Sequence, residues 1–219
     1  MRQTVIFPFW REKVMNMIRR RVMSTRIMDY DFSGMNSEIR ISVIGKKGID
    51  IKMKKMLVVY YSWSNGNTKK IAEQLANKTG ADIVRIETAE PYSGSHEDVV
   101  EQGKREVEAG FMPQINPISV NLADYDVIAI GTPTWWYTMA PAVLTFLTTN
   151  DFTGKTVIPF MTNGGWPGHV IKDMKDKCKG AAFAHEMQIQ FDSMGKDHLE
   201  TSEDVITEWI GQINTDINK

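Results

Sequence analysis

From Met56 onward, short apolar runs alternate with stretches whose apolar positions recur at helical spacing. Residues 56–61 form a continuous apolar run rich in β-branched and aromatic side chains, which is typical of a strand buried on both faces. Residues 68–78 come next and predict a helix that stops at Gly80. The apolar residues of this helix share one face, and they are Ile71, Ala72, Leu75 and Ala76.

The same alternation is repeated four more times along the chain. It predicts further strands at residues 82–87, 126–131, 155–161 and 183–191. It predicts further helices at residues 96–109, 140–148, 170–177 and 202–213, with Ser95 and Ser202 as N-cap candidates. Strands joined by helices pair in parallel through right-handed crossovers. The pattern therefore predicts the α/β class, as a three-layer α/β/α sandwich around a five-stranded parallel sheet.

The first 52 residues differ from the rest of the chain. Residues 1–55 hold seven of the 14 methionines and carry 13 Lys and Arg against 5 Asp and Glu. No sustained helical or strand period is visible in residues 1–52, which we interpret as an N-terminal extension to one domain, residues 53–219. Three interpretations stay open: an upstream extension of a natural start at Met53 or Met56, a flexible basic tail that touches membrane or nucleic acid, or a structural arm for oligomerisation.

Charge and composition narrow the function of the larger part. Residues 56–219 carry 13 Lys and Arg against 22 Asp and Glu, which disfavours nucleic-acid binding and suits a basic protein partner. No apolar run approaches the roughly 20 residues that span a bilayer. The single cysteine, Cys178, rules out an intramolecular disulfide and fits a reducing compartment. We expect a cytoplasmic protein without a membrane span, either a monomer or a homodimer.

Ligands of an open parallel sheet bind beyond the carboxyl ends of the strands, where the strand order reverses. The loop after the first strand opens into a helix, whose free N–H groups favour an anion, and Gly66 permits close backbone approach. It contains no lysine and lacks the Gly-Lys-Ser/Thr ending of a nucleotide P-loop, which favours a phosphate monoester held by neutral donors. Taken alone, the loop fits a turn that merely caps the helix equally well. The candidate phosphate-binding residues are Ser62, Trp63, Ser64, Asn65, Gly66, Asn67 and Thr68.

The loop after the third strand holds three consecutive aromatic residues, which are costly to expose. Stacking on a flat aromatic ligand explains these three residues better than burial in the hydrophobic core does. At least one of the rings is nevertheless expected to pack under the following helix. The candidate ligand-binding residues of this loop are Thr132, Pro133, Thr134, Trp135, Trp136 and Tyr137.

The loop after the fourth strand has three glycines, which indicate close backbone approach to a ligand. Backbone amides there would suit the edge of a flavin ring, with one tryptophan as a further ring wall. The candidate residues are Thr162, Asn163, Gly164, Gly165, Trp166 and Gly168. Phosphate donors, aromatic rings and backbone donors at one sheet edge together match the requirements of FMN.

These residues resemble a known family. Residues 60–72, with the sequence YYSWSNGNTKKIA, resemble the phosphate-loop signature of flavodoxins. Residues 131–136 and 139–143 resemble the third-strand loop of a bacterial flavodoxin-like subfamily, and residues 90–92, 106–108 and Pro113 resemble its stretch after the second strand. The resemblance covers about residues 56–214 and implies strand order 2-1-3-4-5, bound FMN and redox activity.

The sequence departs from the flavodoxin pattern at two positions. Ser62 and Thr68 are one residue further apart than in the common form, with Asn65 as the extra residue. Tyr137 stands where relatives often have a glycine whose peptide can flip beside the flavin. Because no glycine is present in this loop, a left-handed backbone there is expected to be costly.

The histidines and the cysteine are not predicted to form a functional site. His96, His169, His185 and His198 have no metal-like spacing with one another or with Cys178. All are expected to be surface or packing residues, with His169 as the one candidate flavin neighbour because it follows the glycine-rich loop. Two lysines flank the cysteine and would lower its pKa, although it has no local partner.

Two redox functions remain open at this stage. An electron carrier that serves a redox protein partner is favoured by the acidic composition and the lack of a substrate domain. An NAD(P)H-dependent FMN reductase of quinones or nitro- or azo-aromatics is favoured by the Trp-rich loops and the missing glycine. A non-redox flavin-binding module is the least favoured. No catalytic side chain is predicted, because a flavin itself carries the electrons.

Overall fold

The computed structural model describes the strands at residues 27–30, 38–43 and 49–52, and then residues 54–194 and 196–218. The chain divides into two compact units, residues 1–52 and 53–219.

The first unit contains an antiparallel sheet of three strands. These are β1 (Ile27–Tyr30), β2 (Glu38–Val43) and β3 (Ile49–Lys52), in the order β1-β2-β3. No strand was predicted here from the sequence. The missed signal is the period-two alternation of polar and apolar residues in β2 and β3. The rest of the predicted extension lies outside the described residues, and the position of the natural start stays a prediction.

The second unit alternates strands and helices. Its elements are β4 (Met56–Tyr60), α1 (Asn67–Thr79), β5 (Asp82–Arg85), α2 (His96–Glu108), β6 (Val127–Trp135), β7 (Thr138–Met139), α3 (Pro141–Thr149), β8 (Thr156–Asn163), α4 (Val170–Lys177), β9 (Ala182–Phe183), β10 (Met187–Gln190) and α5 (Glu203–Ile217). A turn of 3₁₀ helix, Leu122–Asp124, precedes β6. Every predicted helix is present, with ends that shift by a few residues.

The central sheet runs β10-β8-β6-β4-β5 and is parallel throughout this path. Counted along the chain, β4, β5, β6 and β8 are the first to fourth predicted strands, so the order 2-1-3-4-5 is confirmed. The fifth predicted strand is split into β9 and β10, which pair with the start and the end of β8. His185 lies in the break with a φ of 50°, outside the range of strand backbone.

Helices cover both faces of the sheet. On β4, Leu57 and Val59 join the core cluster of α3 and α4, whereas Met56 and Val58 join the cluster of α1 and α5. Because both faces pack against helices, every residue of β4 is buried. This arrangement is the predicted three-layer sandwich.

Local signals define the helix starts as predicted. Ser95 caps α2 in a reciprocal capping box with Asp98, and Ser202 accepts a hydrogen bond from the Val205 N–H at the start of α5.

Within the part of the chain that the structure describes, no helix has the length and apolar character to cross a bilayer.

Candidate functional site

A cleft of about 400 Å³ lies where the carboxyl ends of β4, β6 and β8 meet. Most of the predicted site residues line it, namely Trp63, Ser64, Asn65, Asn67, Thr68, Pro133, Thr134, Trp135, Trp136, Tyr137, Thr162, Asn163, Gly164 and Trp166. The other predicted residues, Ser62, Gly66, Thr132, Gly165 and Gly168, are not among the residues that line the cleft. The three candidate loops therefore converge, as the topology requires.

Two of the three candidate segments are partly strand rather than loop. β6 continues to Trp135 and β8 continues to Asn163, so the prediction that both strands end before the site was wrong. The two strands stay in register there, with Pro133 opposite Thr162. Their ladder continues because it depends on backbone pairing, which the loss of an apolar side-chain pattern does not interrupt.

The phosphate-loop candidate presents an open helix start. Gly66 is the N-cap of α1 with a φ of 76°, and no side chain of the described residues caps this end. The first N–H groups of an α-helix have no intrahelical acceptor, so they are suited to an anion. Beside them, Ser62 Oγ is buried and has no hydrogen-bond partner within the described structure. Uncapped N–H groups and a hydroxyl without a partner are neutral donors of the kind that suits an anion.

The polar side chains of α1 are held by contacts with distant segments. Asn67 Nδ2 donates to the Lys196 carbonyl at 3.0 Å, and its Oδ1 is buried without a partner among the described residues. This oxygen can only accept, so it suits a ligand hydroxyl rather than a phosphate oxygen. Thr68 and Thr162 share a buried 2.8 Å hydrogen bond between their hydroxyls, which ties α1 to β8. These contacts preset the side chains before a ligand binds.

A cation adjoins the loop although the loop itself contains none. Arg85 at the end of β5 donates from Nη2 to the Ser62 carbonyl at 3.1 Å, and its Nε lies 3.9 Å from a Glu87 oxygen. The guanidinium therefore contacts the first residue of the loop while it faces a carboxylate on its other side. Arg85 was not predicted, because only the residues of the loop itself were considered from the sequence.

Of the three consecutive aromatic residues, Trp135 is the one whose ring packs against the rest of the protein. A Cβ on Gly103 of α2 would lie 3.0 Å from the Trp135 ring, which is tighter than ordinary van der Waals contact, so the ring lies directly against the helix backbone. The Trp135 ring also meets Tyr92 edge to face at 4.9 Å between centroids. At least one ring was expected to pack under the helix that follows, and Trp135 packs on the core cluster that includes α3 as well as approaching Gly103 of α2.

Trp136 and Tyr137 form the two-residue turn between β6 and β7. Their φ values are 47° and 68°, so the left-handed backbone that was expected to be costly is the one adopted. The reason is geometric, because a two-residue hairpin turn of type I′ has positive φ at both turn positions. Trp136, Tyr137 and Trp166 are 39%, 53% and 60% exposed, and together they form the mouth of the cleft.

Six lining residues were not predicted, and they are His96, Val99, Val100, Gly103, Phe191 and Asp192. The His96 ring lies 5.8 Å from the Trp63 ring at an angle of 37°. His169, the one histidine named as a candidate flavin neighbour, does not line the cleft and pairs with Asp173 of α4 instead. No motif marks the six residues, because α2 and the segment after β10 reach the cleft only through the fold.

Cys178 is buried at 1% exposure. Burial raises the pKa of its thiol to about 12, so the flanking lysines do not activate it as the sequence suggested.

We expect the Cys178 thiol to be inert to a water-soluble disulfide reagent in the folded protein at mildly alkaline pH. A raised pKa keeps the group as a thiol until the pH approaches about 12, and burial blocks access. Absorbance of the released thiolate should stay at baseline until denaturant is added, and then reach one equivalent per chain. Rapid labelling without denaturant would contradict the buried position.

The flavodoxin family model matches residues 55–213, which is most of the chain. The chain belongs to the flavodoxin family. Two similar solved structures are candidate flavoproteins from Bacteroides. The Bacteroides eggerthii protein is 28% identical, with a TM-score of 0.59 over 73% of this chain and 98% of that one. The Bacteroides uniformis protein is 27% identical, with a TM-score of 0.61 over 73% of this chain and 99% of that one.

A third solved structure is a Lactobacillus acidophilus flavoprotein in complex with FMN. It is 22% identical, with a TM-score of 0.53 over 62% of this chain and 92% of that one, which shows the common fold. No curated protein matches the chain. The family match lies within the second unit, which also contains the cleft.

Proposed function

We propose that this flavodoxin-family chain binds FMN in the cleft of residues 53–219 and transfers electrons through it. The observation that carries the proposal is a set of three buried polar atoms without partners in the described structure, Ser62 Oγ, Asn67 Oδ1 and Thr134 Oγ1. An unsatisfied buried polar group costs about 1–3 kcal/mol, so a polar ligand at this place would recover that cost. Family membership and the FMN bound by the Lactobacillus protein support the choice of ligand.

The residues of the cleft fit the parts of FMN. The open start of α1 and Ser64, which lines the cleft, would hold the phosphate, with the buried Ser62 hydroxyl behind the lining as a further donor. Trp136, Tyr137 and Trp166 offer ring faces to the isoalloxazine at the mouth. When bound, FMN supplies reversible one- and two-electron transfer, and the protein excludes water and orients the ring.

One backbone amide that was expected to donate to the edge of the flavin ring already donates to a side chain of the protein. The Gly165 N–H donates to Asn163 Oδ1 at 2.7 Å, so this amide stabilises the glycine-rich loop itself. Gly164, which lines the cleft, is the remaining glycine of the loop that faces the ligand space.

We expect the full-length apoprotein to bind one equivalent of FMN with strong quenching of flavin fluorescence. Stacking on the aromatic residues quenches the flavin, and the helix start adds affinity for the phosphate. Riboflavin, which lacks the phosphate, is the matched control ligand and should bind more weakly. Titration by fluorescence measures both affinities. Failure to bind either flavin would overturn the proposal, and equal affinities would overturn the phosphate assignment.

Two observations favour two different electron acceptors. The excess of acidic residues in residues 56–219 favours a carrier that docks on a basic redox protein. The three exposed aromatic side chains at the mouth favour an NAD(P)H-dependent reductase of a planar quinone or nitro- or azo-aromatic acceptor.

Potentiometric titration of the FMN-loaded protein separates the two functions. Two well-separated one-electron potentials would support the carrier. Rapid two-electron bleaching by NAD(P)H would support the reductase, whereas a flavin that no donor reduces would indicate a non-redox binding module.

We infer a cytoplasmic location and a monomer or homodimer from the composition alone.

A further inference from the structure

The turn formed by Trp136 and Tyr137 has residue types that are unusual for its backbone conformation. Both residues have left-handed backbone, at φ values of 47° and 68°, in a two-residue hairpin turn that asparagine and glycine normally occupy. Bulky residues rarely adopt this conformation, and they keep it only where the surrounding structure enforces it. The contacts of the turn therefore identify what enforces it.

The first contact comes from the loop before α4. Gly168 packs so closely on the turn that a Cβ there would lie 2.1 Å from the Tyr137 carbonyl oxygen and 2.4 Å from its Cα. The next residue, His169, donates its N–H to the same carbonyl at 2.8 Å. The Tyr137 carbonyl is thus held in one orientation, and no side chain larger than hydrogen is tolerated at Gly168.

The second contact comes from α4 itself. Asp173 Oδ2 accepts a hydrogen bond from Thr138 Oγ1 at 2.5 Å, and the same oxygen pairs with the His169 ring. One carboxylate thereby connects β7 to the loop that holds Tyr137. Its side chain is 25% exposed, which limits competition from water.

The third contact comes from the opposite side of the turn. Trp136 Nε1 donates to the Val100 carbonyl of α2 at 2.9 Å, and Lys104 Nζ lies 5.2 Å from the Trp136 ring centroid. The turn is therefore held between α2 and the start of α4.

We propose that Gly168 and Asp173 are positioning residues that preset the aromatic wall formed by Trp136 and Tyr137. Neither residue lines the cleft as the described residues form it, so each acts through the turn. A wall that is already ordered reduces the entropy lost when a planar ligand binds. Loosening the turn should weaken flavin binding without removing any group that contacts the flavin. The binding part rests on the proposed function, whereas the ordering of the turn does not.

Two glycines provide a matched pair for the test. Gly168 and Gly110 have φ values of 58° and 60°, but a Cβ on Gly110 meets no atom within 4 Å. Gly168→Ala and Gly110→Ala therefore share the backbone strain, and only Gly168→Ala collides with Tyr137. Thr138→Val removes the hydroxyl that reaches Asp173 without a change in shape, and Thr148→Val, which removes an exposed helical hydroxyl, is its control.

Hydrogen exchange of the ligand-free full chain tests the ordering of the turn directly. We expect amides in residues 134–140 to exchange at least about tenfold faster in Gly168→Ala and Thr138→Val, with both controls unchanged. In FMN titrations, the same two variants should lose affinity by about tenfold and the controls should not.

Each other outcome contradicts a defined part of the proposal. Unchanged exchange in both test variants would show that these contacts do not hold the turn. Faster exchange with unchanged FMN affinity would show that the ordering of the turn does not contribute to FMN binding. A wild-type chain that binds no FMN would overturn the proposed function, while the exchange data would still decide whether the turn is held. If Gly168→Ala does not fold, Thr138→Val alone decides both parts.

Discussion

Replacing Ser62 with alanine is expected to weaken FMN binding by about 10- to 100-fold and to leave the apoprotein as stable as before, or more stable. Ser62 is 4% exposed, and its hydroxyl has no partner within the described structure. In the apoprotein that hydroxyl carries an unrecovered desolvation cost of about 1–3 kcal/mol, which alanine removes. With FMN bound, a hydrogen bond to a charged phosphate contributes about 1.5–3 kcal/mol, which alanine forfeits.

The two opposite effects are measured by two methods on the same variant. Fluorescence titration gives the affinity, and denaturant unfolding of the apoprotein gives the free energy of unfolding. Riboflavin should bind Ser62→Ala and the wild type alike, because the lost contact is to the phosphate. Ser202→Ala is the stability control, since it removes a helix cap and should cost about 1 kcal/mol. An equal loss of affinity for FMN and riboflavin would contradict the phosphate contact.

Replacing Gly131 with alanine is expected to destabilise the protein by about 3 kcal/mol, near the upper end for overpacked cores. A Cβ at this position would lie 2.3 Å from Cζ of the Phe160 ring. Gly131 and Phe160 are opposite each other in register on β6 and β8, and the Phe160 side chain is completely buried. Its ring packs 5.7 Å from the Trp209 ring, so it has little room to move.

Denaturant unfolding compares this variant with a glycine in open space. Gly211 lies within α5, and a Cβ added there would meet no atom within 4 Å, so Gly211→Ala should stabilise the protein by about 1 kcal/mol. Adding Phe160→Leu to Gly131→Ala should restore part of the lost stability, because a smaller side chain makes room for the methyl group. A Gly131→Ala variant as stable as the wild type would show that Phe160 is free to reorient.

The candidate site was predictable where it depends on topology. Once strands and helices alternate, parallel pairing brings the ends of β4, β6 and β8 to one edge, so loops distant in sequence had to meet. The polarity of the phosphate loop and the cluster of aromatic residues then pointed to the ligand class. The N-caps Ser95 and Ser202 were predictable for a local reason, since capping depends on residues only three positions apart.

Other parts of the site depend on contacts between distant residues and carry no local pattern. Arg85 reaches the Ser62 carbonyl from a neighbouring strand, and His96 reaches Trp63 from α2. Outside the site, burial likewise raises the pKa of the Cys178 thiol, which the flanking lysines did not reveal. None of these contacts leaves a periodic signal in the sequence.

By itself, the sequence pattern determined the three-layer sandwich and the sheet edge that carries the cleft, whereas the strand order was implied by the resemblance to flavodoxins. The sandwich and the sheet edge follow from the spacing of apolar residues, which repeats over short distances and selects the elements one at a time. Only the tertiary structure decided how far β6 and β8 extend into the site and that Trp136 and Tyr137 adopt left-handed backbone. The reason is that backbone pairing and the close approach of Gly168 act between segments that are far apart in the chain, and there they outweigh the local preference of each residue.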